Sequence, residues 1–435
     1  MTFDEALSYL LSLGHETLTI KLGLRNTQTL LAALGDPQKR FRAVQIAGTN
    51  GKGSSAAMLD AICRAAGIRV GLFTSPHLIS IAERVRLHGC DIMPDEFARL
   101  TERVKITAED LQQEGRLQTA PTFFEHVTAI ALLAFAEAEV ELAILETGLG
   151  GRLDSTTAVG ADIVAITPIA MDHEKYLGHT LSEIAAEKAA IIRPGVEAVI
   201  APQPGEAGDV VLERAKGCAV NPTLIQDWKI ETSPLGNSGR FKVTIQTNHE
   251  SFGPVDLSLR GRHQVTNAAT AVGLAELLRD QGFSISRAAI IQGLATAKHS
   301  GRLELWEAKP PILFDGAHNP ASVEVFRAYL DEFVTAPITM IFGAMQDKSL
   351  AQMASMLFPK AQILILTQIE NARAATLEEL RAAMPLNYDH ERICEAARAS
   401  EALRLAMALT SADGLICVTG SLHLIGEVQK AITGS

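Results

Sequence analysis

A glycine-rich loop between an apolar run and a helical pattern constrains the fold of this chain more than any other feature. Residues 47–54 read AGTNGKGS, with the apolar run at 41–46 and the helical pattern at 55–66. Glycines allow backbone N–H groups to face an anion, the helix start adds a partial positive charge, and Lys52 adds a full one. The sequence therefore predicts a strand, a phosphate-binding loop and a helix in that order, with an ordinary turn as the alternative.

The loop departs from the Walker A sequence G-x-x-x-x-G-K-[ST] in its spacing. Two residues separate Gly48 from Gly51, and Gly53 stands between Lys52 and Ser54. The residue types that hold a phosphate are nevertheless present, at a turn between a strand and a helix. We therefore keep the prediction of a nucleotide site.

Length, composition and charge favour a soluble protein of two domains. The chain has 435 residues, of which 47% are hydrophobic, and its formal net charge is −11. This charge argues against general binding to nucleic acid, so an anionic ligand would need positive charge concentrated at one place. The apolar segments are too short to span a membrane, and the first residues do not resemble a secretory signal. The five cysteines are scattered without C-x-x-C spacing, so we expect reduced thiols and a cytoplasmic location.

Short apolar runs alternate with helical patterns, which is typical of an α/β protein with a largely parallel sheet. The first strands are predicted at 41–46, 70–74, 142–147, 163–167 and 196–201, with helices at 94–113, 123–138 and 181–192. A period of two then predicts antiparallel strands within 229–259, and a long helix is predicted at 264–281. Alternation resumes with strands at 311–314, 338–342, 362–366 and 415–419. We place a domain boundary near 297–301, which gives domains 1–297 and 298–435.

Polar side chains follow the predicted strands at the ends where open α/β sheets bind ligands. Glu146 comes at the end of one strand, where a carboxylate suits a magnesium ion beside a triphosphate, although it could instead cap a loop. His173 follows the next strand as a candidate second metal ligand, or as a structural histidine. Ser75, Asp315 and His318 follow two further strands and place a hydroxyl, a carboxylate and an imidazole where a nucleotide would lie.

Lys188 lies on the apolar stripe of a predicted helix. Thr180 and Glu183 have the spacing of a capping box, so the helix is predicted to begin there. An unpaired ammonium on a buried stripe is costly, so Lys188 either reaches solvent, pairs with a carboxylate, or has its charge changed chemically. Carbamylation would make this side chain an anion able to face a metal ion.

Two further side chains suit a nucleotide. Asn267 lies at the start of the long helix and could hydrogen-bond the edge of a base, or be a capping residue. Arg302 lies at the predicted hinge and could move onto a phosphoryl group in transfer.

Taken together, these segments resemble the folylpolyglutamate synthase and dihydrofolate synthase family, within the Mur ligase superfamily. The resemblance covers almost the whole chain, and its motifs occur in the order of the family. They are GTNGKGS, TSPHL, ETGLGGRLD, DHEKYLG, EKAAIIRPG, HQVTNAATA, GRLE, FDGAHNP and GAMQDK. The family implies a P-loop, Mur-ligase-like central ATPase domain with a mostly parallel sheet, followed by a smaller, Rossmann-like C-terminal α/β domain.

The resemblance also implies roles for individual residues. The ATP contacts would be Asn50, Gly51, Lys52, Gly53, Ser54, Asn267, Arg302 and Asp315. Two magnesium ions would be held by Ser75, Glu146 and His173. Lys188 would be carbamylated, and the catalytic residues would be Lys52, Lys188, His318 and Arg302. The pterin or pteroate would contact Leu22, Gly23, Leu24, Thr122, Phe123, Phe124, Glu125, Leu153, Asp154 and Ser155.

The implied reaction is ATP-dependent ligation of L-glutamate to dihydropteroate and to reduced folates through an acyl phosphate, in a monomer. A folylpolyglutamate synthase without the first activity is one alternative. A ligase acting on a UDP-muramoyl peptide is another, although no additional UDP-binding domain is apparent before residue 48. The third is an ATPase switch whose turnover depends on a protein partner.

Overall fold

The computed structural model describes residues 1–14, 23–117, 119–385, 388 and 392–434. These residues form two mainly parallel sheets and a small antiparallel sheet. The predicted α/β class is therefore confirmed.

The first sheet has eight strands in the order β4-β3-β2-β5-β1-β6-β7-β8. They are β1 (Arg42–Ala47), β2 (Val70–Phe73), β3 (Val85–Leu87), β4 (Cys90–Asp91), β5 (Leu142–Glu146), β6 (Ile163–Ile166), β7 (Glu197–Ile200) and β8 (Thr223–Leu224). The strands from β2 to β8 along this order are parallel, whereas β3 and β4 add an antiparallel edge. The parallel strands are almost fully buried, which explains their continuous apolar sequences.

Helices cover both faces of this sheet. They are α1 (Phe3–Ser12), α2 (Arg25–Ala33), α3 (Lys52–Ala65), α4 (Pro94–Gln113), α5 (Phe123–Glu137), α6 (Glu174–Leu177), α7 (Leu181–Ala189) and α8 (Gly205–Gly217). The predicted capping box of α7 is present, because the Thr180 hydroxyl accepts from Glu183 N and the Glu183 carboxylate accepts from Thr180 N.

The helix after the glycine loop begins at Lys52, three residues earlier than its apolar pattern predicts. Gly51 precedes it with φ 89°, a left-handed conformation that a residue with a side chain rarely adopts. The glycine thus turns the chain directly into the helix, so the end of the loop is also the first turn of α3.

The segment of period two forms a three-stranded antiparallel sheet, as predicted. Its strands are β9 (Lys229–Pro234), β10 (Phe241–Gln246) and β11 (Ser251–Asp256), and α9 (His263–Asp280) and α10 (Arg287–Thr296) follow. Gly293 allows α10 to approach α3 closely, because a Cβ atom there would lie 2.4 Å from Ile62 N. The buried side chains of α3, α9 and this small sheet belong to one hydrophobic core.

The second large sheet has six strands in the order β12-β13-β17-β14-β15-β16, and β12 alone is antiparallel to its neighbour. They are β12 (Glu304–Trp306), β13 (Ile312–Asp315), β14 (Ile338–Phe342), β15 (Ile363–Thr367), β16 (Ile393–Ala396) and β17 (Leu415–Thr419). The helices are α11 (Pro320–Phe333), α12 (Leu350–Leu357), α13 (Leu377–Ala382), α14 (Ala399–Leu409) and α15 (Leu422–Thr433).

The two large sheets are joined across a close contact. A Cβ atom on Gly426 of α15 would lie 1.9 Å from the carbonyl oxygen of Leu78, which follows β2. The five cysteines are free thiols, three of them buried. Within the described ranges, no helix has the length and apolar character needed to cross a membrane.

Candidate active site

A cavity of about 580 Å³ lies at the carboxyl ends of both large sheets, within the range typical of small-molecule sites. Loops after β1, β2, β5 and β6 form one side, and loops after β13, β14 and β17 form the other. The predicted site residues that line it are Asn50, Gly51, Lys52, Gly53, Ser54, Ser75, Thr122, Phe124, Glu125, Glu146, Leu153, Asp154, Ser155, His173, Lys188, Asn267, Arg302, Asp315 and His318. The fold thus brings together residues that lie as far apart in sequence as 50 and 318.

Three predicted substrate residues lie elsewhere. Phe123 is buried in the core beside the Arg84 guanidinium, whose Cζ lies 5.3 Å from the ring centroid. In the described part of the chain, Gly23 and Leu24 do not line the cavity either; they precede α2. Neighbouring helical residues point about 100° apart, and the sequence does not say which of two adjacent phenylalanines faces the cavity. The prediction for Leu22 lies outside the described residues.

The glycine loop packs so closely against neighbouring residues that a side chain at Gly48 or Gly51 would clash. A Cβ atom on Gly48 would lie 1.9 Å from Thr167 Oγ1, and one on Gly51 would lie 2.3 Å from Asn267 Oδ1. Lys52 donates to the carbonyl oxygen of Thr49 at 3.1 Å. Burial lowers the pKa of Lys52, while the carboxylates of Glu146 and Asp172 oppose that shift. The lysine charge is therefore held between the loop and two acidic groups.

Glu146 is buried beside this loop. Its Oε2 atom accepts a hydrogen bond from Ser75 N at 3.2 Å and lies 3.3 Å from the position of a Cβ atom on Gly53. Burial raises the pKa of Glu146, and Lys52 is the first of several groups that oppose this rise. Glu146 and Ser75 are thus neighbours, as the metal prediction requires.

His173 lies in the segment after β6, at φ 52° before α6. Burial lowers its pKa to about 3, so the ring is neutral near pH 7 and has a lone pair for a metal ion. Its Nδ1 atom is buried and has no hydrogen-bond partner among the residues described. An unpartnered ring nitrogen is consistent with a ligand role.

Ser75, Glu146 and His173 can hold a divalent cation only if other ligands complete its coordination shell. The described residues contain no group of three or more His, Cys, Asp or Glu side chains arranged to hold a metal ion. Magnesium commonly takes one or two carboxylates and completes its shell with water and phosphate oxygens. Glu146, the Ser75 hydroxyl and the unpartnered His173 nitrogen are donors of the right kind for such a shared site.

A buried ion pair joins the two sides of the cavity. Lys348 Nζ lies 2.5 Å from Asp172 Oδ1, and Asn319 Nδ2 donates to Asp172 Oδ2 at 3.0 Å. Burial disfavours the Asp172 carboxylate, but His318, His173 and Lys348 together hold its pKa well below its usual range. Asn319 also donates to Asn50 Oδ1 at 3.2 Å, which ties the second sheet to the glycine loop.

Sequence reasoning did not select Asp172, Asn319 or Lys348, although all three lie inside the motifs that carry the family resemblance. Asp172 precedes Asn319 by 147 residues and Lys348 by 176 residues, so these contacts form only when the two sheets meet. The available signal was the position of each residue just after a strand, which is shared by many residues without a role.

Lys188 is buried and donates to the carbonyl oxygen of Gly48 at 2.9 Å. Burial lowers its pKa to about 7, and the charge of Lys52 acts in the same direction. Among the described residues, its ammonium donates to this carbonyl rather than to a carboxylate, so the ion-pair alternative is not observed. A large fraction of Lys188 is therefore an uncharged amine near neutral pH.

Arg302 and Asp315 form the part of the site contributed from the second sheet. Asp315 accepts from Leu303 N and Ala317 N, both at 3.0 Å, and burial raises its pKa to about 6, against the charge of Arg302. Arg302 Nη1 donates to the carbonyl oxygen of Gly316 at 3.3 Å. Both side chains are held by the loop after β13.

His318 lies beside the ion pair. Its Nδ1 atom is 2.7 Å from the carbonyl oxygen of Gly316, which can only accept, so Nδ1 carries a proton. The Nε2 atom lies 3.6 Å from Asp172 Oδ2. The ring is thus oriented with Nε2 towards the acidic group.

The predicted pterin segments form the end of the cavity near α5. Thr122 and Glu125 make a capping box at the start of α5, and Thr27 donates to Glu125 Oε1 at 3.3 Å. Phe124 packs against Gly148, where a Cβ atom would lie 2.5 Å from its Cζ. The ring therefore forms a flat wall that requires a glycine behind it.

The loop after β5 is fixed by Asp154. Its Oδ2 atom accepts from Gly148 N at 3.1 Å and from Leu149 N at 2.9 Å, and its Oδ1 atom accepts from Thr156 N at 3.0 Å. Asp154 therefore lines the cavity mainly as the residue that shapes its loop.

Two family models match the chain over most of its length. The Mur ligase middle domain matches residues 46–275, and the Mur ligase, glutamate ligase domain matches residues 301–422. With the two sheets and the shared cavity, these matches define the chain as a Mur ligase.

Curated relatives define the family more narrowly. The dihydrofolate synthase/folylpolyglutamate synthase of Bacillus subtilis is 35% identical over 423 residues, which are 95% of each chain. The Escherichia coli protein of the same name is 31% identical over 434 residues, covering 98% of this chain and 94% of the relative. The chain belongs to the dihydrofolate synthase/folylpolyglutamate synthase family, and it is a ligase.

Solved structures agree with this assignment. Escherichia coli FolC in complex with DHPP and ADP has a TM-score of 0.88 at 29% identity, over 100% of this chain and 98% of that one. A bifunctional folylpolyglutamate synthase/dihydrofolate synthase with Mn, AMPPNP and L-glutamate bound has a TM-score of 0.84 at 29% identity. The match covers 100% of this chain and 98% of that one. The predicted fold is therefore confirmed as that of this family.

Proposed function

We propose that this chain uses ATP to join L-glutamate to the carboxylate of dihydropteroate and of reduced folates. The observation that carries the proposal is one cavity in which the glycine loop, Glu146, His173 and Lys188 face Arg302 and Asp315. The first four come from the first sheet and the last two from the second. All of these side chains belong to one chain, so the proposal needs no second subunit.

The phosphates of ATP would lie on the loop from Asn50 to Ser54. Backbone N–H groups at the start of α3 and the Lys52 ammonium would neutralise phosphate charge, and Arg302 would add charge from the second sheet. Asn267 and Asp315 would contact the rest of the nucleotide. Much of the catalysis is then positioning and electrostatic stabilisation.

The chemistry takes two steps. An oxygen of the substrate carboxylate attacks the γ-phosphorus of ATP, so ADP leaves and an acyl phosphate forms. The glutamate nitrogen then attacks the acyl carbon, phosphate leaves, and an amide forms after the ammonium group has lost two of its three protons and kept one as the amide N–H. The Nε2 atom of His318, turned towards Asp172, is the group we assign to receive such a proton.

Ser75, Glu146 and His173 would hold magnesium, with Lys188 as a carbamate facing it. Bound magnesium would supply positive charge to the phosphate oxygens. We also propose that the domains divide at 297/298, since the two large sheets lie on either side of that point. Closure of the two units would exclude water that hydrolyses an acyl phosphate.

An assay of ADP release tests the function directly. The purified chain, with ATP and magnesium, should release ADP only when L-glutamate is present together with either dihydropteroate or tetrahydrofolate. Release with tetrahydrofolate alone would reduce the function to folylpolyglutamate synthase. Release that needs a protein partner and neither small molecule would favour an ATPase switch.

Phe124→Ala is expected to raise KM for dihydropteroate about tenfold, because a flat pterin loses an aromatic wall worth about 1 kcal/mol and the area buried against it. KM for ATP should change less than twofold, since Phe124 packs on Gly148 and is not among the residues assigned to ATP. Steady-state ADP release measures both constants. Phe283→Ala, a half-buried phenylalanine away from the cavity, is the matched control. Equal effects on both substrates would contradict the pterin assignment.

A further inference from the structure

His299 forms part of the cavity wall. It lies between the end of α10 and the start of β12, in the segment that joins the two large sheets. Its ring is half-buried against the glycine loop, where a Cβ atom on Gly53 would lie 2.7 Å from its Cε1 and 3.0 Å from its Nε2. The connecting segment therefore touches the phosphate loop directly.

A chain of hydrogen bonds leads from α9 to this histidine. Asn267 Nδ2 donates to Gln264 Oε1 at 2.9 Å, and Gln264 Nε2 donates to Ser54 Oγ at 3.2 Å. Ser54 Oγ is in turn 3.2 Å from His299 Nδ1. Gln264 Nε2 also lies 3.1 Å from His263 Nε2, so both of its protons have partners.

One hydrogen bond of Ser54 has a set direction, because Gln264 Nε2 can only donate to it. A hydroxyl has one proton and two lone pairs, and Gln264 uses one lone pair of Ser54 Oγ. The Ser54 proton can then bond to His299 Nδ1, provided that the ring is neutral with its proton on Nε2. Burial lowers the pKa of His299 to about 3, which favours that neutral ring.

We propose that His299 is a positioning residue for the nucleotide site: it accepts the Ser54 proton, fixes the orientation of that hydroxyl, and holds the connecting segment against the glycine loop. The inference rests on the proposed function, because it assigns the phosphate loop to a nucleotide. It adds a physical link between that loop and the second unit. Arg302 lies three residues further along the same segment, so a shift of His299 would move it as well.

The test measures binding of AMPPNP with magnesium by calorimetry. His299→Ala is expected to weaken binding about tenfold, because the Ser54 hydroxyl loses its acceptor. His299→Asn keeps an acceptor near the position of Nδ1 and should stay within threefold of wild type. His299→Phe keeps a ring but has no acceptor, so it should behave like the alanine variant and serves if that variant does not fold. Lys298→Ala, an exposed neighbour, is the control and should bind normally.

Two independent measurements separate positioning from a general structural effect. The losses from His299→Ala and Ser54→Ala should not add in the double variant, since both remove one interaction. Nitrogen NMR of the ligand-free protein should show one histidine, absent from His299→Asn, that keeps its Nε2 proton from pH 5 to 8. Additive losses, or wild-type binding by His299→Ala, would overturn the inference alone. A wild-type chain that binds no AMPPNP would overturn the proposed function with it.

Discussion

Lys188→Ala should lower turnover at least about 100-fold, the size of effect seen when one buried electrostatic group is removed from an active site. The reason is that the Lys188 amine can lose its charge and then become a carbamate. With a pKa of about 7, the uncharged amine is well populated at pH 7 and able to attack carbon dioxide. The new N–C bond and the loss of a proton give a carbamate anion.

Two features of the Lys188 surroundings favour a carbamate. The carbamate keeps one N–H, so it can still donate to the Gly48 carbonyl oxygen that accepts from Lys188 now. The positive charge of Lys52, which lowers the pKa of the Lys188 ammonium, attracts an anion. Because the pKa is lowered, the ammonium dominates below about pH 7 and the reactive amine dominates above it. Carbamylation should therefore increase as the pH rises through 7.

Carbon NMR with labelled bicarbonate measures the modification. A carbamate signal should appear in wild type, grow from pH 6 to 8, and be absent from Lys188→Ala. Lys175→Ala changes an exposed lysine and should keep both the signal and the activity. A fully active enzyme with unmodified Lys188 in bicarbonate-free buffer would contradict the prediction.

The order of elements follows from local sequence, whereas the closure of the site does not. The parallel strands carry continuous apolar runs, and α7 carries its own capping box, so each is specified within a few residues. The short antiparallel strands β3 and β4 were not predicted, since three and two residues give no readable period. Their place is fixed by pairing at the sheet edge.

The same distinction applies to the site residues. Glu146 and Lys188 could be selected because a strand end or a helical stripe marks them as unusual locally. The roles of the other residues depend on contacts between distant positions. Asp172 contacts Lys348, and His299 contacts Ser54, from which it is 245 residues away in sequence. A single residue gives no sign of such a partner, so tertiary structure was needed to find them.

The largest loss without a change in folding is expected for Glu146→Gln. The glutamine keeps the volume of Glu146 and an oxygen that can accept from Ser75 N, but it removes the charge that a cation needs. Turnover at limiting magnesium should fall at least about 100-fold, and the magnesium concentration for half-maximal ADP release should rise.

Stability should respond differently, because burial of Glu146 disfavours its charged form and thereby raises its pKa. An uncharged amide avoids that cost but loses the attraction to Lys52, so the two changes oppose each other. The free energy of unfolding in urea should stay within about 1 kcal/mol of wild type. Glu213→Gln makes the same chemical change on the exposed side of α8 and should leave both magnesium dependence and stability unchanged. Wild-type turnover of Glu146→Gln at limiting magnesium would show that Glu146 is not a metal ligand, whatever its effect on folding.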